Sequence, residues 1–258
     1  MLLPHGVMAM AALLGTGAIG AQAPSVTDDA AVASLRTLHL ELFGQFARLP
    51  LNARPATSQA TTVLTAGFGA TPRLEIGFDY PFIVVGQPGG DVSGTGDLNL
   101  TVKYLLRTPA DALAARWALA GAVELPTGSA ARGLGSGVAD FGLTVIREQS
   151  YHGSVVRFNL GLQVAGNTLT GRVGTANRAP VMNAAASVSR QVADGVTVVA
   201  EASGYQGRSP IAADREARLQ GALIYSRWSR AALAVSLQRG WLASPPSQLQ
   251  VGIIADAW

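Results

Sequence analysis

Few residues in this sequence have the types and spacing that catalysis requires. Only two of the three histidines, His39 and His152, lie beyond the first 23 residues. His152 stands two positions before Ser154, but a Ser-His-acid site needs three groups in a fixed geometry. One turn that carries both is more typical of solvated polar residues, and His39 falls beside Glu41 on the polar phase of a strand pattern. We predict no catalytic residues and no enzymatic activity.

Metal, cofactor and nucleic-acid sites also lack their usual signals. The chain has no cysteine, which removes thiolate ligands and nucleophiles, and its histidines and carboxylates form no spaced ligand cluster. Glycines at 89–90 and 133–137 precede neither Gly-Lys-Ser/Thr nor a helical pattern, so they predict turns and not phosphate loops. The net charge is only +3 and the basic residues are scattered singly. We predict no metal, no cofactor and no nucleic-acid partner.

The more informative polar residues alternate with apolar ones. Side chains of a β-strand point to opposite faces with period two, so such a segment has one apolar and one polar face. Charged and amide groups on the polar face could bind or guide a small solute. The predicted lumen-lining residues of such a path are Asp97, Asn99, Lys103, Arg116, Glu124, Asp140, Arg157, Asn159, Gln163, Glu201, Arg218 and Gln220, and Glu75 and Asp79 share their phase.

Twelve strands are predicted to position these side chains. Clear alternation marks six strands near 74–80, 98–106, 116–125, 156–164, 218–225 and 249–256, and weaker patterns add six near 35–46, 60–70, 137–148, 180–191, 195–205 and 229–239. Their connections alternate between long ones, at 48–59, 84–94, 126–136, 166–179, 206–215 and 240–247, and short ones, near 70–72, 108–111, 149–153, 193–195 and 226–230.

This sorting of loops favours an all-β, antiparallel, up-and-down transmembrane β-barrel. Outer-membrane barrels have an even strand count, short periplasmic turns and longer outer loops, whereas a β-sandwich has no reason to sort its connections this way. Charged residues make up 14% of the chain, against about 25% in soluble domains. Tyr104, Trp117 and Tyr225 fall on the apolar phase near the short-turn rim, as in an aromatic girdle. We predict outer-membrane lipid and the barrel-assembly machinery as partners, in the outer membrane of a Gram-negative bacterium.

The chain ends carry two further predictions. Residues 1–23 contain an apolar run that ends in small residues, which predicts an export signal with cleavage after Ala23 or Gly20. The alternative is a short N-terminal membrane anchor, but the run is shorter than the roughly 20 residues of a spanning helix. Residues 24–34 are then a short N-terminal segment, and the barrel occupies 35–258. The terminal Trp258 shares its phase with polar Asp256, so we expect either a bulge that resets the register or an atypical terminal assembly signal.

One internal repeat carries a family resemblance. Residues 93–102 and 136–145 share the pattern S-G-x-x-D-Φ-x-L-T-V, 43 positions apart, which indicates either similar strand starts or a shared lumen role for the two aspartates. GTGDLNLTVKY at 94–104, LPTG at 125–128 and GLGSGVADFGL at 133–143 resemble the outer-membrane family named after the MetA pathway of phenol degradation. The resemblance runs roughly from residue 70 to 165, and more loosely to the C-terminus. It implies an outer-membrane barrel that transports small aromatic or other hydrophobic compounds.

Three functions remain open from the sequence. Twelve strands lie between filled eight-stranded barrels and open barrels of sixteen or more. Small inward residues, namely Ala118, Ala120, Ala122, Gly142 and Gly161, leave room inside, which favours a passive channel for small molecules. The alternative is a structural barrel with a plugged lumen and no transport role. A third hypothesis is an outer-membrane hydrolase, which would need His152.

Overall fold

The computed structural model contains one closed β-barrel. It describes residues 25–107, 114–165, 180–207, 215–242 and 244–257. The strands are β1 (Leu38–Arg48), β2 (Ser58–Thr71), β3 (Leu74–Gly86), β4 (Val92–Thr95), β5 (Leu98–Arg107), β6 (Arg116–Leu125), β7 (Asp140–Tyr151), β8 (Ser154–Ala165), β9 (Val181–Ala193), β10 (Val196–Tyr205), β11 (Glu216–Trp228), β12 (Ala231–Leu242) and β13 (Ser247–Ala257). Two single-turn 3₁₀ helices, Leu51–Ala53 and Ala130–Arg132, lie in connections.

Antiparallel pairing closes the sheet on itself. Neighbouring strands pair around the whole sheet, and β1 pairs with β13 along its full length, from Leu38 opposite Ala257 to Arg48 opposite Ser247. Both β4 and β5 pair with β3: β4 pairs with residues 82–85 and β5 pairs with residues 74–79. They are two halves of one barrel strand that is interrupted at Gly96 and Asp97. The predicted antiparallel barrel of twelve strands is therefore confirmed.

Two predicted connections are shorter than expected. The predicted loop 84–94 is wrong in its extent, because β3 continues to Gly86 and β4 begins at Val92 with ladder pairing between them. Likewise β12 continues to Leu242 through its pairing with β11, and β13 begins at Ser247, so only 243–246 lie between them. Glycine and proline content at these positions indicated loops, whereas hydrogen bonding to a neighbouring strand prolongs the sheet. The predicted export signal at 1–23, the turn 108–111, the loop 166–179 and Trp258 lie outside the described residues.

The barrel is apolar outside and polar inside. Outward side chains such as Leu160 and Val251 are half exposed, at 54% and 51%, whereas inward Glu41 is only 2% exposed. Tyr104, Trp117 and Tyr225 point outward near the side with the short turns, and the Tyr225 and Trp228 rings meet edge to face at 5.5 Å. Such an outer surface is stable only against lipid. No helix among the described residues is long and apolar enough to cross a membrane.

Candidate functional site: the lumen and its inner segment

The lumen contains a stretch of chain that precedes the first strand. We call residues 25–36 the inner segment. The side of the barrel that carries the short turns and both ends of the barrel is the turn side, and the opposite side is the loop side. The segment leaves β1 at the turn side, where Leu35 forms a bridge with Gly69 and the Arg36 N–H donates to the Gly69 carbonyl at 2.8 Å. Arg36 has a φ of 63°, which turns the chain inward. From there the segment crosses the lumen towards β9 and β10.

Glu201 on β10 holds the far end of the inner segment. Its carboxylate accepts the backbone N–H groups of Val26 and Thr27, each at 2.8 Å, and the Thr27 hydroxyl at 2.7 Å. The Thr27 hydroxyl also lies 2.7 Å from the Ser187 hydroxyl on β9. Hydrogen bonds to a charged acceptor are stronger than those between neutral groups. Glu201 therefore anchors two consecutive peptide units of the segment.

Lys103 on β5 holds the middle of the inner segment. It is the only lysine of the chain, and its Nζ lies 3.1 Å from Asp28 Oδ1 and 3.4 Å from Asp29 Oδ1. The side chains of Lys103 and Asp28 are only 6% and 4% exposed. Burial raises the pKa of the Asp28 carboxyl above its usual value, and the Lys103 ammonium opposes that rise. A buried ammonium without a partner would lower the stability of the folded protein. The ion pair therefore holds Asp28 and Asp29 beside Lys103 and so fixes the position of the inner segment along the lumen.

Asn159 on β8 forms two hydrogen bonds with the backbone of the inner segment. In the amide orientation that satisfies its neighbours, its oxygen accepts the Asp28 N–H at 2.7 Å and its nitrogen donates to the Asp28 carbonyl at 3.1 Å. On the opposite side of the lumen, Glu75 Oε2 accepts the Ala33 N–H at 2.6 Å. Side chains of β3, β5, β8, β9 and β10 thus replace the hydrogen bonds that water would otherwise give this stretch.

The inner segment packs against small inward residues of the barrel wall. Ala30 is completely buried and packs in one cluster with Ala118 and Ala120 of β6 and with Ile146 of β7. Part of the room that small inward residues leave in the lumen is therefore occupied by the inner segment. The small size of Ala118 and Ala120 lets the backbone of this segment pack against the wall.

Gly69 lies directly against the inner segment and supports a prediction. A Cβ at this position would overlap the Ser34 carbonyl oxygen and lie 2.5 Å from the Ala33 carbonyl oxygen. We expect Gly69→Ala to loosen the segment, because overpacking costs about 1–3 kcal/mol. As the chain has no cysteine, maleimide labelling of Ala30→Cys reports on undocking. The labelling rate should rise roughly tenfold.

The matched control is the same substitution at Gly221, where a Cβ would meet nothing within 4 Å. Gly221→Ala should leave the labelling rate unchanged. Equal rates in the two variants would contradict the docking that this contact implies.

Asp97 holds a loop. It is buried where β4 gives way to β5, and its carboxylate accepts the N–H groups of Gly128 and Ser136 at 2.8 and 2.5 Å. Leu134 of the same loop is buried among apolar residues of the loop side, including Ile83 and Val85. The predicted path residue Asp97 therefore serves to hold the β6–β7 connection against the mouth of the barrel.

Asp140, the equivalent residue of the repeat, has different contacts. It is fully buried at the start of β7, and its Oδ2 accepts the Gln163 amide at 3.1 Å. Gln163 Oε1 in turn accepts the Tyr205 hydroxyl at 3.4 Å. The two repeated aspartates both lie at the start of a strand that runs from the loop side to the turn side, but the hydrogen bonds described for them differ.

The remaining predicted residues lie along the inner wall at several heights. Near the turn side, Glu148 Oε2 lies 2.8 Å from Arg157 Nε, and its Oε1 lies 3.6 Å from Arg116. Arg218 forms an ion pair with Glu216. In the strand register, Asn99 lies opposite Asp79 and Glu124, and Gln220 lies opposite Glu201 and Gln238.

Two groups of lumen residues escaped the sequence analysis. The first belongs to a row of glutamines, in which the predicted Gln220 on β11 lies opposite Gln238 on β12, and Gln238 lies opposite Gln248 on β13. We call this row the glutamine wall. Gln238 was missed because its strand alternates weakly, and Gln248 because it lies just before the predicted start of its strand. The second group is Thr27, Asp28 and Asp29, which precede the first strand, so period-two alternation could not assign them to the lumen.

His39 and His152, the two histidines in the described part of the chain, lie at the closure of the barrel and in a turn. His39 Nδ1 lies 2.7 Å from Asp256 and Nε2 lies 2.9 Å from Glu41, so it bridges β1 and β13 where the barrel closes. His152 has a φ of 47° in the β7–β8 turn, and its ring contacts Tyr151 at 4.2 Å. Within the described part of the chain, no group of three potential ligands could hold a metal ion.

Comparison with known proteins identifies the fold. No protein-family model and no curated protein matches the chain. Among solved structures, an outer membrane channel from Pseudomonas putida F1 superposes with a TM-score of 0.67 at 14% identity, over 89% of this chain and 98% of that one. The KdgM porin superposes with a TM-score of 0.54 at 7% identity, over 84% and 98%.

Outer membrane phospholipase A from Escherichia coli is also similar, with a TM-score of 0.47 at 12% identity over 98% of both chains, but a likeness this weak does not bear on function. The identities are too low for any of these likenesses to show more than the fold. Together with the apolar outer belt, that fold places the protein in the outer membrane of a Gram-negative bacterium.

Proposed function

We propose that the protein is an outer-membrane channel through which small solutes pass without any chemical step. One observation carries the proposal. The inner segment is held by side chains such as Lys103, Asn159 and Glu201, while the barrel strands complete their ladders without it. Its departure would therefore leave the wall intact and open a polar lumen.

The residues around the inner segment also suit passage. Solute contacts must be favourable enough for entry and weak enough for release, and the inner wall offers both charged and neutral amide groups. Apart from Asp97, whose carboxylate holds the β6–β7 connection, the predicted path residues listed above remain our candidates for solute contact. The two solved structures described above, with TM-scores of 0.67 and 0.54, are named as a channel and a porin, which agrees with this proposal.

The finer assignments rest on resemblance. Membership of the MetA-pathway family, and with it the passage of small aromatic or hydrophobic molecules, is part of the proposal and is carried by the motifs between residues 94 and 143. Assembly would need an export signal and the barrel-assembly machinery, as for other outer-membrane barrels.

Planar-bilayer recording tests the proposal. Purified, heat-modifiable protein should give discrete current steps in a bilayer, whereas the same preparation unfolded by boiling should give none. The steps of the wild-type chain should be small, because the inner segment occupies the lumen. Folded protein that stays silent in both its wild-type form and a form with a neutralised inner segment would instead support the structural barrel with a plugged lumen.

A further inference from the structure

The contacts of the inner segment define a binding site with a specific chemistry. Three wall residues from different strands contact residues 26–29, and each binds a different group. The Glu201 carboxylate accepts two consecutive peptide N–H groups, and the Asn159 amide pairs with the backbone N–H and carbonyl of Asp28. The Lys103 ammonium faces the acidic side chains. Asp28 and Thr27 are almost completely buried in this arrangement.

Together these contacts suit a short acidic peptide. A carboxylate and an amide side chain satisfy the backbone, as a neighbouring strand would, and an ammonium in a nearly dry site selects a negative charge. The glutamine wall belongs to β11, β12 and β13, and none of its three members carries a charge. Of the three wall residues that contact residues 26–29, Lys103 is the cationic one, so it gives the site its preference for carboxylates.

We propose that the lumen is a recognition site for short, peptide-like carboxylates, and that the inner segment is its built-in occupant. The proposal deepens the channel function proposed above and rests on it for its physiological meaning. When the segment withdraws, Lys103, Asn159 and Glu201 lose these contacts together. A solute with a carboxylate beside consecutive N–H groups replaces them, so the segment competes with the solutes that the lumen binds.

Calorimetry with a synthetic peptide tests the site directly. The protein is the full-length chain in which residues 26–33 are replaced by glycine and serine, checked for folding by heat modifiability. The probe is the blocked peptide Ser-Val-Thr-Asp-Asp-Ala-Ala-Val-Ala, which copies residues 25–33. We expect it to bind, and the same peptide with asparagine at both aspartate positions should bind roughly tenfold to a hundredfold more weakly, as expected for lost charged hydrogen bonds.

Wall variants in the same background locate the site. Lys103→Met should remove the preference for the acidic peptide, whereas Gln238→Met on the glutamine wall should retain it. Equal binding of both peptides, a preference that survives Lys103→Met, or no binding at all would overturn the proposal.

A second measurement applies if the glycine-serine variant does not fold. In a chain that carries only Ala30→Cys, excess acidic peptide should trap the undocked state and accelerate maleimide labelling, and the asparagine peptide should not. No acceleration by the acidic peptide would again overturn the proposal. Binding without any bilayer current would contradict the channel function alone, and current without peptide binding would contradict the recognition site alone.

Discussion

Replacement of residues 26–33 by glycine and serine should raise the single-channel conductance roughly threefold or more. The substitution removes the Asp28 and Asp29 carboxylates that face Lys103 and the Ala30 side chain that packs on β6, while it keeps the chain length. A twelve-stranded barrel is wide enough to admit small solutes once its interior is clear. Planar-bilayer recording of wild type and variant under identical salt conditions measures the change.

The control replaces the exposed β3–β4 connection, residues 87–91, by glycine and serine. This variant changes an exposed loop that does not belong to the inner segment, so its conductance should match that of wild type. A folded segment variant with wild-type conductance would show that the inner segment does not limit the current.

Lys103→Met should undock the inner segment. The substitution keeps most of the side-chain volume but leaves the carboxylates of Asp28 and Asp29 buried without the ammonium that faces them. Loss of one partner of a buried ion pair costs about 3–5 kcal/mol. Because about 1.4 kcal/mol corresponds to a factor of ten, maleimide labelling of Ala30→Cys should become roughly a hundredfold faster or more.

Arg157→Met provides the matched control, since it breaks a different lumen ion pair, with Glu148, that does not involve the segment. Its labelling rate should stay near that of wild type. Addition of Asp28→Asn and Asp29→Asn to Lys103→Met should slow labelling again, because neutral amides leave no unpaired charge. Unchanged labelling in the single Lys103→Met variant would contradict the role given to this pair.

The sequence was sufficient for the wall of the barrel. Successive side chains of a strand point to opposite faces of the sheet. The burial of Lys103 and Glu201 and the exposure of Leu160 therefore follow from their positions along their own strands. The alternation of long and short connections gave the antiparallel topology and put both ends of the barrel on one side. The strand ends were less accurate at 84–94 and 240–247, because ladder hydrogen bonds to a neighbouring strand prolong a strand where the local sequence favours a loop.

The sequence by itself determined which side chains face inward, because that depends only on parity along each strand. Only the tertiary structure decided what those side chains bind. The contacts of Thr27 with Glu201 and of Asp28 with Lys103 join residues 174 and 75 positions apart. They exist because closure of the barrel brings β5 and β10 around the same enclosed space, where buried charges and backbone groups must find partners. The stretch before the first strand has no periodic signal of its own, so its place in the lumen follows from that enclosure alone.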